Sequence, residues 1–368
     1  MEALRAVCIL TFRTRESVMS AVTAKALNWT EMGLVPDSVI RAGIRRLLER
    51  KRQEIRSGDV DYAANITNRF VEMMNGSPIA LVPERANEQH YEVPAEFFTE
   101  VLGERRKYSC GYWPKHVSSL DESEIAALEV TAERAEIRDG MDVLDLGCGW
   151  GSLSLWIAEH YPNATVTSVS NSASQRDYIM ATAKERGLDN IQAHTCDMND
   201  FEAPGTYDRV VSLEMFEHMR NWGRLFGNIN RWLKPDGRFF MHIFVHRTTP
   251  YEYIDRSESD WMTRYFFAGG IMPSADLPLR FAGDLAIDKR WAWNGKHYAK
   301  TCNAWLDRMD ARKASVMPIL ERTYGEKDAD RWWMRWRMFF MACAELFDTG
   351  TGDEWYIGHY LFRKTNDS

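Results

Sequence analysis

Short apolar runs alternate with amphipathic segments through the middle of this 368-residue chain. Apolar runs bounded by glycine, proline or polar residues are typical of buried strands, and here they predict strands at 142–146, 164–169, 190–195, 207–213 and 237–245. Apolar residues at helical spacing between them predict helices over 120–136, 151–160, 172–187 and 221–234. Because strands and helices alternate, we expect a doubly wound α/β fold built on a parallel sheet.

The regions that flank this alternation have other patterns. The first hundred residues have helical spacing, including an amphipathic helix that we expect Pro36, Asp37 and Ser38 to cap. A late segment is rich in aromatic residues at helical spacing, and an alternating segment at 355–362 predicts a last strand that rejoins the sheet. The predicted organisation is an N-terminal helical region (1–105), an α/β core (106–248), a helical, aromatic-rich lid on the substrate side (249–350), and the last core strand (351–368).

The glycine-rich turn after the first predicted strand is the most informative motif. Strand 142–146 runs directly into Gly147, Gly149 and Gly151, and a helical pattern follows at once. This order of elements forms a crevice at the carboxyl end of a parallel sheet, where open α/β folds bind nucleotides. The spacing Gly-x-Gly-x-Gly differs from that of dinucleotide-binding turns, so a ligand with an adenosine but no phosphate fits better. S-adenosylmethionine (SAM) is the common ligand of that kind, and Asp145 is placed to orient its ammonium group.

Glu214, Glu217 and His218 follow the fourth predicted strand, whose end opens into the same crevice. Two carboxylates and an imidazole this close together are costly to bury without a role. They suit general-base catalysis or the binding of a cationic amine. The alternative is a helix N-terminus at which the acidic residues interact with the helix dipole.

Polar residues also follow the second and third predicted strands. In many nucleotide-binding folds an acidic residue after the second strand binds the ribose hydroxyls; Asn171 and Gln175 stand there instead, and an amide can make similar hydrogen bonds. Asp197 and Met198 follow the third strand, and Asp197 is placed to bind the adenine amino group unless it is an ordinary surface-turn residue. His242, on the fifth strand, has either a structural or a site role.

Composition narrows the class of partner. The net charge of −7 argues against general nucleic-acid binding, and no apolar run approaches the roughly 20 residues of a membrane span. The basic face of the helix at 41–56 leaves peripheral contact with an anionic membrane open, beside the plainer alternative of a face paired with acidic neighbours. Six scattered cysteines without a Cys-x-x-Cys pair predict a cytoplasmic protein with no structural metal. The oligomeric state stays open, with a homodimer as one option.

Three motifs together resemble the cyclopropane fatty acid synthase superfamily of SAM-dependent methyltransferases, from about residue 85 to the end. They are Tyr108-Ser-Cys-Gly-Tyr-Trp113, the turn that begins at Asp145, and Met215-Phe-Glu-His218. Glu214, the segment from Ser259 to Gly270, the turn Trp293-Asn-Gly-Lys-His297 and the sequence Gly352-Asp-Glu-Trp355 are more similar to the coclaurine N-methyltransferase-like branch of plant alkaloid enzymes. This resemblance implies a class I, Rossmann-like methyltransferase fold.

The resemblance also implies roles for individual residues. It assigns SAM binding to Tyr108, Ser109, Gly147, Gly149, Asn171, Gln175 and Asp197. It makes Glu217 and His218 catalytic, with Glu214 helping to hold the amine. Cyclopropane synthases of this superfamily use a bicarbonate site, whose types of side-chain ligand occur here at Cys110, Glu217, His242 and Tyr298. The backbone carbonyl near Phe244 would complete that site.

Two activities therefore stay open on the sequence. The first is N-methylation of a small, alkaloid-like amine with Glu217 and His218 as the base, which Glu214 and the lid segments favour. The second is methyl transfer to the double bond of a phospholipid acyl chain, with bound bicarbonate as the base. A third alternative is an inactive SAM-binding protein, against which the complete Glu-x-x-Glu-His motif argues.

Overall fold

The structure, a computed structural model, describes residues 24–81, 93–257, 260–281, 283 and 285–365. Its strands are β1 (Asp142–Leu146), β2 (Thr165–Ser170), β3 (Ile191–Thr195), β4 (Tyr207–Leu213), β5 (Leu233–His246), β6 (Tyr251–Glu252), β7 (Ile271–Met272), β8 (Leu285–Trp293) and β9 (Trp355–Lys364). Its labelled helices are α1 (Asp37–Glu54), α2 (Val60–Asn75), α3 (Ala95–Val101), α4 (Leu120–Arg134), α5 (Ser152–His160), α6 (Ala173–Arg186), α7 (Trp222–Trp232), α8 (Trp261–Tyr265), α9 (Lys296–Ala311), α10 (Lys313–Tyr324) and α11 (Glu326–Phe347). Residues 24–31 are also helical.

Seven of the described strands form one sheet in the order β3-β2-β1-β4-β5-β9-β8. Strands β1 to β5 pair in parallel, whereas β9 runs antiparallel between β5 and β8. This arrangement confirms the predicted doubly wound α/β fold. The chain winds in opposite directions on either side of β1 and β4, so the carboxyl ends of these two strands open a crevice at the switch point.

Strand β1 shows why the apolar runs become central strands. Val143 packs into one apolar cluster of the core, while Leu144 and Leu146 pack into another, and all three are buried. Alternate residues of a strand point to opposite faces of the sheet, so a strand covered on both faces is apolar almost throughout. Asp145 is the exception: it is a buried carboxylate at the end of a buried strand.

The prediction that 249–350 is helical is wrong in one respect. Strand β8 lies within it and forms an edge of the main sheet, and β6 and β7 form a separate two-stranded sheet. The middle of β8, from Asp288 to Arg290, is exposed, which interrupts the apolar alternation by which a strand is recognised. Two smaller expectations also change: β5 begins at Leu233, four residues before the predicted strand at 237–245, and Pro36 precedes α1 without any side-chain cap.

The N-terminal segment is attached to the lid by a buried ion pair. Glu31 accepts from Arg335 Nε at 3.0 Å and from Trp261 Nε1 at 2.9 Å, and both charged side chains are about nine-tenths buried. Of the predicted N-terminal helical region, residues 1–23 and 82–92 lie outside the described residues. No helix of the described part is long and apolar enough to cross a membrane.

The basic face of α1 is largely paired with carboxylates. Arg41 and Arg45 both contact Glu345 on α11, at 3.0 and 2.9 Å. Lys51 pairs with Glu54 at 2.8 Å, and Arg52 pairs with Glu49 at 2.9 Å. These contacts agree with the plainer alternative, a cationic face matched by acidic neighbours.

Candidate active site

A cleft of about 1250 Å³, including its open mouth, lies at the carboxyl ends of β1 and β4. The lid covers it through residues of α8, α9 and α11. Ten of the predicted site residues line it: Tyr108, Ser109, Asp145, Gly147, Gly149, Gln175, Glu214, Glu217, His218 and Tyr298. Much of the remaining wall is aromatic: Phe244, Tyr253, Phe267, Trp305, Phe339 and Phe347. The tertiary structure thus brings together the glycine turn, the Glu-x-x-Glu-His motif and the lid.

Five predicted site residues lie outside this lining. Cys110 and His242 are buried behind Glu214. Asn171 and Asp197 follow β2 and β3, and Asp197 Oδ1 accepts from the backbone N–H of Asn199 at 2.7 Å. Met198 is buried in an apolar cluster of the core. The roles of Asn171, Asp197 and Met198 in SAM binding stay predictions.

The glycine turn has a left-handed backbone at three positions, which favours residues without a Cβ. The φ angles are 74° at Gly147, 54° at Gly149 and 76° at Gly151. A Cβ would lie 2.7 Å from Met215 at the first position and 2.5 Å from Ile179 at the third, but would meet nothing within 4 Å at Gly149. The outer two glycines are therefore required by packing, whereas Gly149 leaves bare backbone on an open side where a ligand can approach.

Asp145 and Gln175 are held by serines. Ser154 Oγ donates to Asp145 Oδ2 at 2.6 Å, and Ser170 Oγ donates to Gln175 Oε1 at 2.6 Å. Burial raises the pKa of Asp145 to about 6. A cationic ligand group beside this carboxylate would favour its ionised form.

Glu214 is surrounded by hydrogen-bond donors. Its carboxylate accepts from the backbone N–H of Cys110 at 2.9 Å, from His242 Nε2 at 3.0 Å and from the Tyr298 hydroxyl. Its own φ of 49° is unusual for a residue with a side chain. Burial raises the pKa of Glu214, but the charge of Lys107 and the donors at Cys110 and Tyr298 act against that rise. We assign the ionised form to Glu214 because both of its carboxylate oxygens accept hydrogen bonds, which favours the charged state.

Lys107 is a site residue that the sequence analysis missed. It is fully buried, and its Nζ donates to Ser109 Oγ at 2.6 Å and to the Cys110 carbonyl at 2.7 Å. Burial lowers the pKa of Lys107, while the charge of Glu214 raises it. Its position beside the Tyr108 motif was the one available signal, since a lone lysine forms no pattern.

Glu217 has the opposite surroundings. It is completely buried, and neither side-chain oxygen has a well-formed hydrogen bond among the described residues. Burial, and then the charge of Glu214, raise the pKa of Glu217 well above its usual range, while the nearby N–H groups of Glu217 and Phe244 lower it. A buried carboxyl whose oxygens lack well-formed hydrogen bonds is costly, so this group requires a proton or a cationic ligand. His218 lies beside it in the cleft, with its ring centroid 4.7 Å from that of Phe267.

These groups fit SAM but not bicarbonate. Bare backbone at Gly149 and the buried carboxylates of Asp145 and Glu217 suit a cationic nucleoside. By contrast, two of the predicted bicarbonate donors, His242 and Tyr298, are already bonded to the Glu214 carboxylate. The Cys110 thiol contacts the Gly111 carbonyl at 3.2 Å and does not line the cleft. A protein carboxylate therefore occupies the position that the expectation gave to bicarbonate, and that expectation is not supported.

Comparisons with known proteins agree with this geometry. The chain matches the family described as mycolic acid cyclopropane synthetase (CMAS) over residues 82–357. It is 37% identical over 349 residues to (S)-coclaurine N-methyltransferase of Thalictrum flavum subsp. glaucum, which covers 94% of this chain and 96% of that protein. It is 30% identical over 274 residues to cyclopropane-fatty-acyl-phospholipid synthase of Escherichia coli (strain K12), which covers 73% of this chain and 66% of that protein.

A solved structure is also similar. The crystal structure of coclaurine N-methyltransferase bound to N-methylheliamine and SAH matches with a TM-score of 0.89 at 36% identity, covering 92% of this chain and 99% of that one. The sheet, the bare glycine turn and the cleft define a SAM-dependent methyltransferase of the class I fold. The chain belongs to the mycolic acid cyclopropane synthetase family of these enzymes, which confirms the resemblance found in the sequence.

Proposed function

We propose that this enzyme methylates the nitrogen of a small, ring-bearing amine. The observation that carries the proposal is Glu217, a fully buried carboxyl in the lining of an aromatic cleft, with no side-chain hydrogen-bond partner in the described part of the chain. An amine that arrives as an ammonium ion supplies both a cation and a proton to such a group. The N-methyltransferase activity named for a relative over nearly the whole chain supports the same chemistry.

Proton removal is the step that the protein's residues perform. When bound, SAM supplies an electrophilic methyl group on a positively charged sulfur. An aliphatic amine resembles lysine, with a pKa near 10.4, so it is protonated at neutral pH and lacks the lone pair that must attack. Glu217 accepts this proton, directly or through a water beside His218. The raised pKa of Glu217 makes it a stronger base than an exposed glutamate once it is ionised.

The aromatic and acidic lining of the cleft favours a ring-bearing amine over an acyl chain. Tyr253, Phe267 and Phe347 belong to its aromatic wall, and Glu214 and Glu217 are also part of the lining. Aromatic faces attract a cationic nitrogen and pack against a substrate ring. A box of this kind fits an alkaloid-like amine, with the two carboxylates facing its nitrogen.

A second cavity adjoins the first and has room for a substituent on that ring. It lies between α1 and the lid and shares Tyr253, Met262 and Leu346 with the cleft. Ile44, Leu47 and Leu48 give it an apolar side. We propose that a second ring of the substrate extends into this cavity, since apolar area there would be removed from water on binding.

The acyl-chain alternative is disfavoured by the same site. His242 and Tyr298, which would have to donate to a bicarbonate base, already donate to Glu214. The basic face of α1, which would have to contact phospholipid, forms ion pairs with carboxylates of this chain. We retain peripheral membrane contact, a cytoplasmic location and a homodimer only as predictions. Light scattering of the purified enzyme would measure the last of these.

The test is a transfer assay with SAM labelled on its methyl group. The purified enzyme receives either secondary amines of the tetrahydroisoquinoline class or vesicles of unsaturated phospholipid, each with and without bicarbonate. We expect label on the amine nitrogen, independent of bicarbonate. Label in the lipid would overturn the proposal, as would tight SAM binding with no transfer to any amine.

A further inference from the structure

Two buried histidines connect Glu214 to Arg134 at the end of α4. His242 Nδ1 lies 2.9 Å from His359 Nε2, and His359 Nδ1 lies 2.8 Å from Arg134 Nη1. His242 and His359 are directly opposite each other in the antiparallel pair β5–β9, so the sheet register sets their contact. Arg134 ends α4, whose start is fixed by a capping box between Ser119 and Glu122.

The chemistry of arginine determines the direction of every hydrogen bond in this chain. A guanidinium only donates, so Arg134 must donate to His359 Nδ1, which leaves the proton of that neutral ring on Nε2. His359 Nε2 then donates to His242 Nδ1, and His242 carries its own proton on Nε2. That proton points at Glu214 Oε1, 3.0 Å away.

The surroundings keep both rings neutral. Burial lowers the pKa of His242 well below its ordinary value, and the charges of Lys107 and Arg134 lower it further. Burial, then His242, Arg134 and Lys107, do the same for the pKa of His359. The Trp293 ring packs against both histidines, at centroid distances of 5.5 and 4.4 Å. Two neutral rings with defined tautomers follow from these contacts.

We propose that His359 and Arg134 are positioning residues that hold Glu214 ionised and correctly oriented for amine methylation. All donors run inward, toward the carboxylate, so the chain cannot carry a proton away from it without every ring reversing. Its effect is to keep a fixed negative charge facing the cationic groups in the cleft. The groups that face Glu214 are Lys107, Cys110 N–H, Tyr298, His242 and Glu217. The predicted effect on kcat rests on the proposed function. The assignment of the histidine tautomers does not, because it follows from the hydrogen bonds alone.

The test compares three variants. His359→Phe removes the donor to His242, whereas His359→Gln can accept from Arg134 through its oxygen and donate to His242 through its nitrogen. Phe240→Leu is the packing control, since the Phe240 ring lies 5.2 Å from that of His359 and has no polar group. We expect His359→Phe to lower kcat by about 10-fold to 100-fold, as for other residues that orient an active-site group, with KM for SAM little changed.

The pH profile separates positioning from packing. In His359→Phe nothing holds the His242 proton on Nε2, so Glu214 loses this donor whenever the proton moves to Nδ1. Glu214 then becomes a weaker acid, and the coupled Glu214 and Glu217 carboxyls bind protons at higher pH. The acidic limb of kcat should move to higher pH in His359→Phe, and stay at the parental position in His359→Gln and Phe240→Leu. Equal losses in His359→Phe and Phe240→Leu, with no shift of the limb, would overturn the inference.

A measurement that does not depend on activity tests this inference separately from the proposed function. Nitrogen NMR of histidine-labelled enzyme reports which ring nitrogen carries the proton. We expect Nε2–H tautomers at both His242 and His359 in the parent, and mixed tautomers at His242 in His359→Phe. A protonated Nδ1 at either position in the parent would contradict the chain, even if amine methylation is confirmed.

Discussion

Glu214 and Glu217 lie three residues apart at the end of β4, yet the Glu214 carboxylate accepts three hydrogen bonds, whereas Glu217 accepts none from any side chain that the structure describes. This difference divides their work. The Glu214 carboxylate, which accepts three hydrogen bonds, keeps a constant negative charge. That charge also raises the pKa of Glu217. Glu217, whose oxygens lack such donors, can take up a proton, so we propose it as the base of the pair.

Glu217→Gln should abolish most of the activity. An amide cannot accept the ammonium proton, and loss of a general base costs about 10²–10⁴-fold in rate. Single-turnover rates and SAM titration calorimetry would show a large fall in kcat with SAM affinity changed only a few-fold. Glu202→Gln, an exposed carboxylate paired with Arg231, is the control and should behave as the parent. If Glu217→Gln had the rate of the parent, Glu217 would not be the general base.

The pH dependence of stability should report the same group. The pKa of Glu217 is raised in the folded state, so its proton binds more tightly there than in the unfolded chain. The stability it contributes is present below its unfolded pKa, near 4.3, and is lost as pH rises through the folded value. Glu217→Gln removes this dependence, so its Tm should exceed that of the parent more at alkaline than at acidic pH. A constant Tm difference across pH would contradict the raised pKa.

Glu214→Ala should create an empty anion site. The variant leaves the Cys110 N–H, His242 Nε2 and Tyr298 hydroxyl without their acceptor, each a loss of about 1–3 kcal/mol if buried and unpaired. We expect low activity that formate restores in part, whereas the parent should respond to neither formate nor bicarbonate.

The companion variant Glu214→Gly tests the backbone separately. Glycine adopts the φ of 49° without strain, and the strain of about 1–2 kcal/mol at alanine exceeds the entropy cost of glycine, so this variant should unfold at a higher urea concentration than Glu214→Ala. Both variants should share the formate response, because both vacate the same donors. Absence of rescue in either would show that the carboxylate does more than fill this position.

Substituting two glycines of the turn should affect different properties: stability at Gly151 and SAM binding at Gly149. Gly151→Ala places a Cβ 2.5 Å from the Ile179 side chain and should lower the Tm substantially. Gly149→Ala meets no protein atom, so it should be limited to about 1–2 kcal/mol of left-handed strain while raising the Kd for SAM. Thermal melts and calorimetry would separate the effects. If folded Gly149→Ala bound SAM with the affinity of the parent, the backbone at Gly149 would not be part of the cofactor site.

The elements that the sequence predicted best are those with an uninterrupted local pattern. The central strands are apolar because helices cover both faces of the sheet, and the glycine turn is required by its own backbone conformation. Strand β8 was missed because its exposed middle, around Lys289, removes the alternation. The Glu-x-x-Glu-His motif was recognised because its residues are adjacent in the chain.

The division of roles within the site depended on long-range contacts. The sequence alone determined a doubly wound α/β fold and a carboxylate pair after β4, and it predicted a nucleoside-binding turn after β1, because each is encoded within a few consecutive residues. Only the tertiary structure showed that Lys107 lies near Glu214, that His359 and Arg134 connect to Glu214 through His242, and that Glu217 has no side-chain hydrogen-bond partner among the described residues. These residues come from segments far apart in the chain, and their contacts exist only once the sheet register has formed.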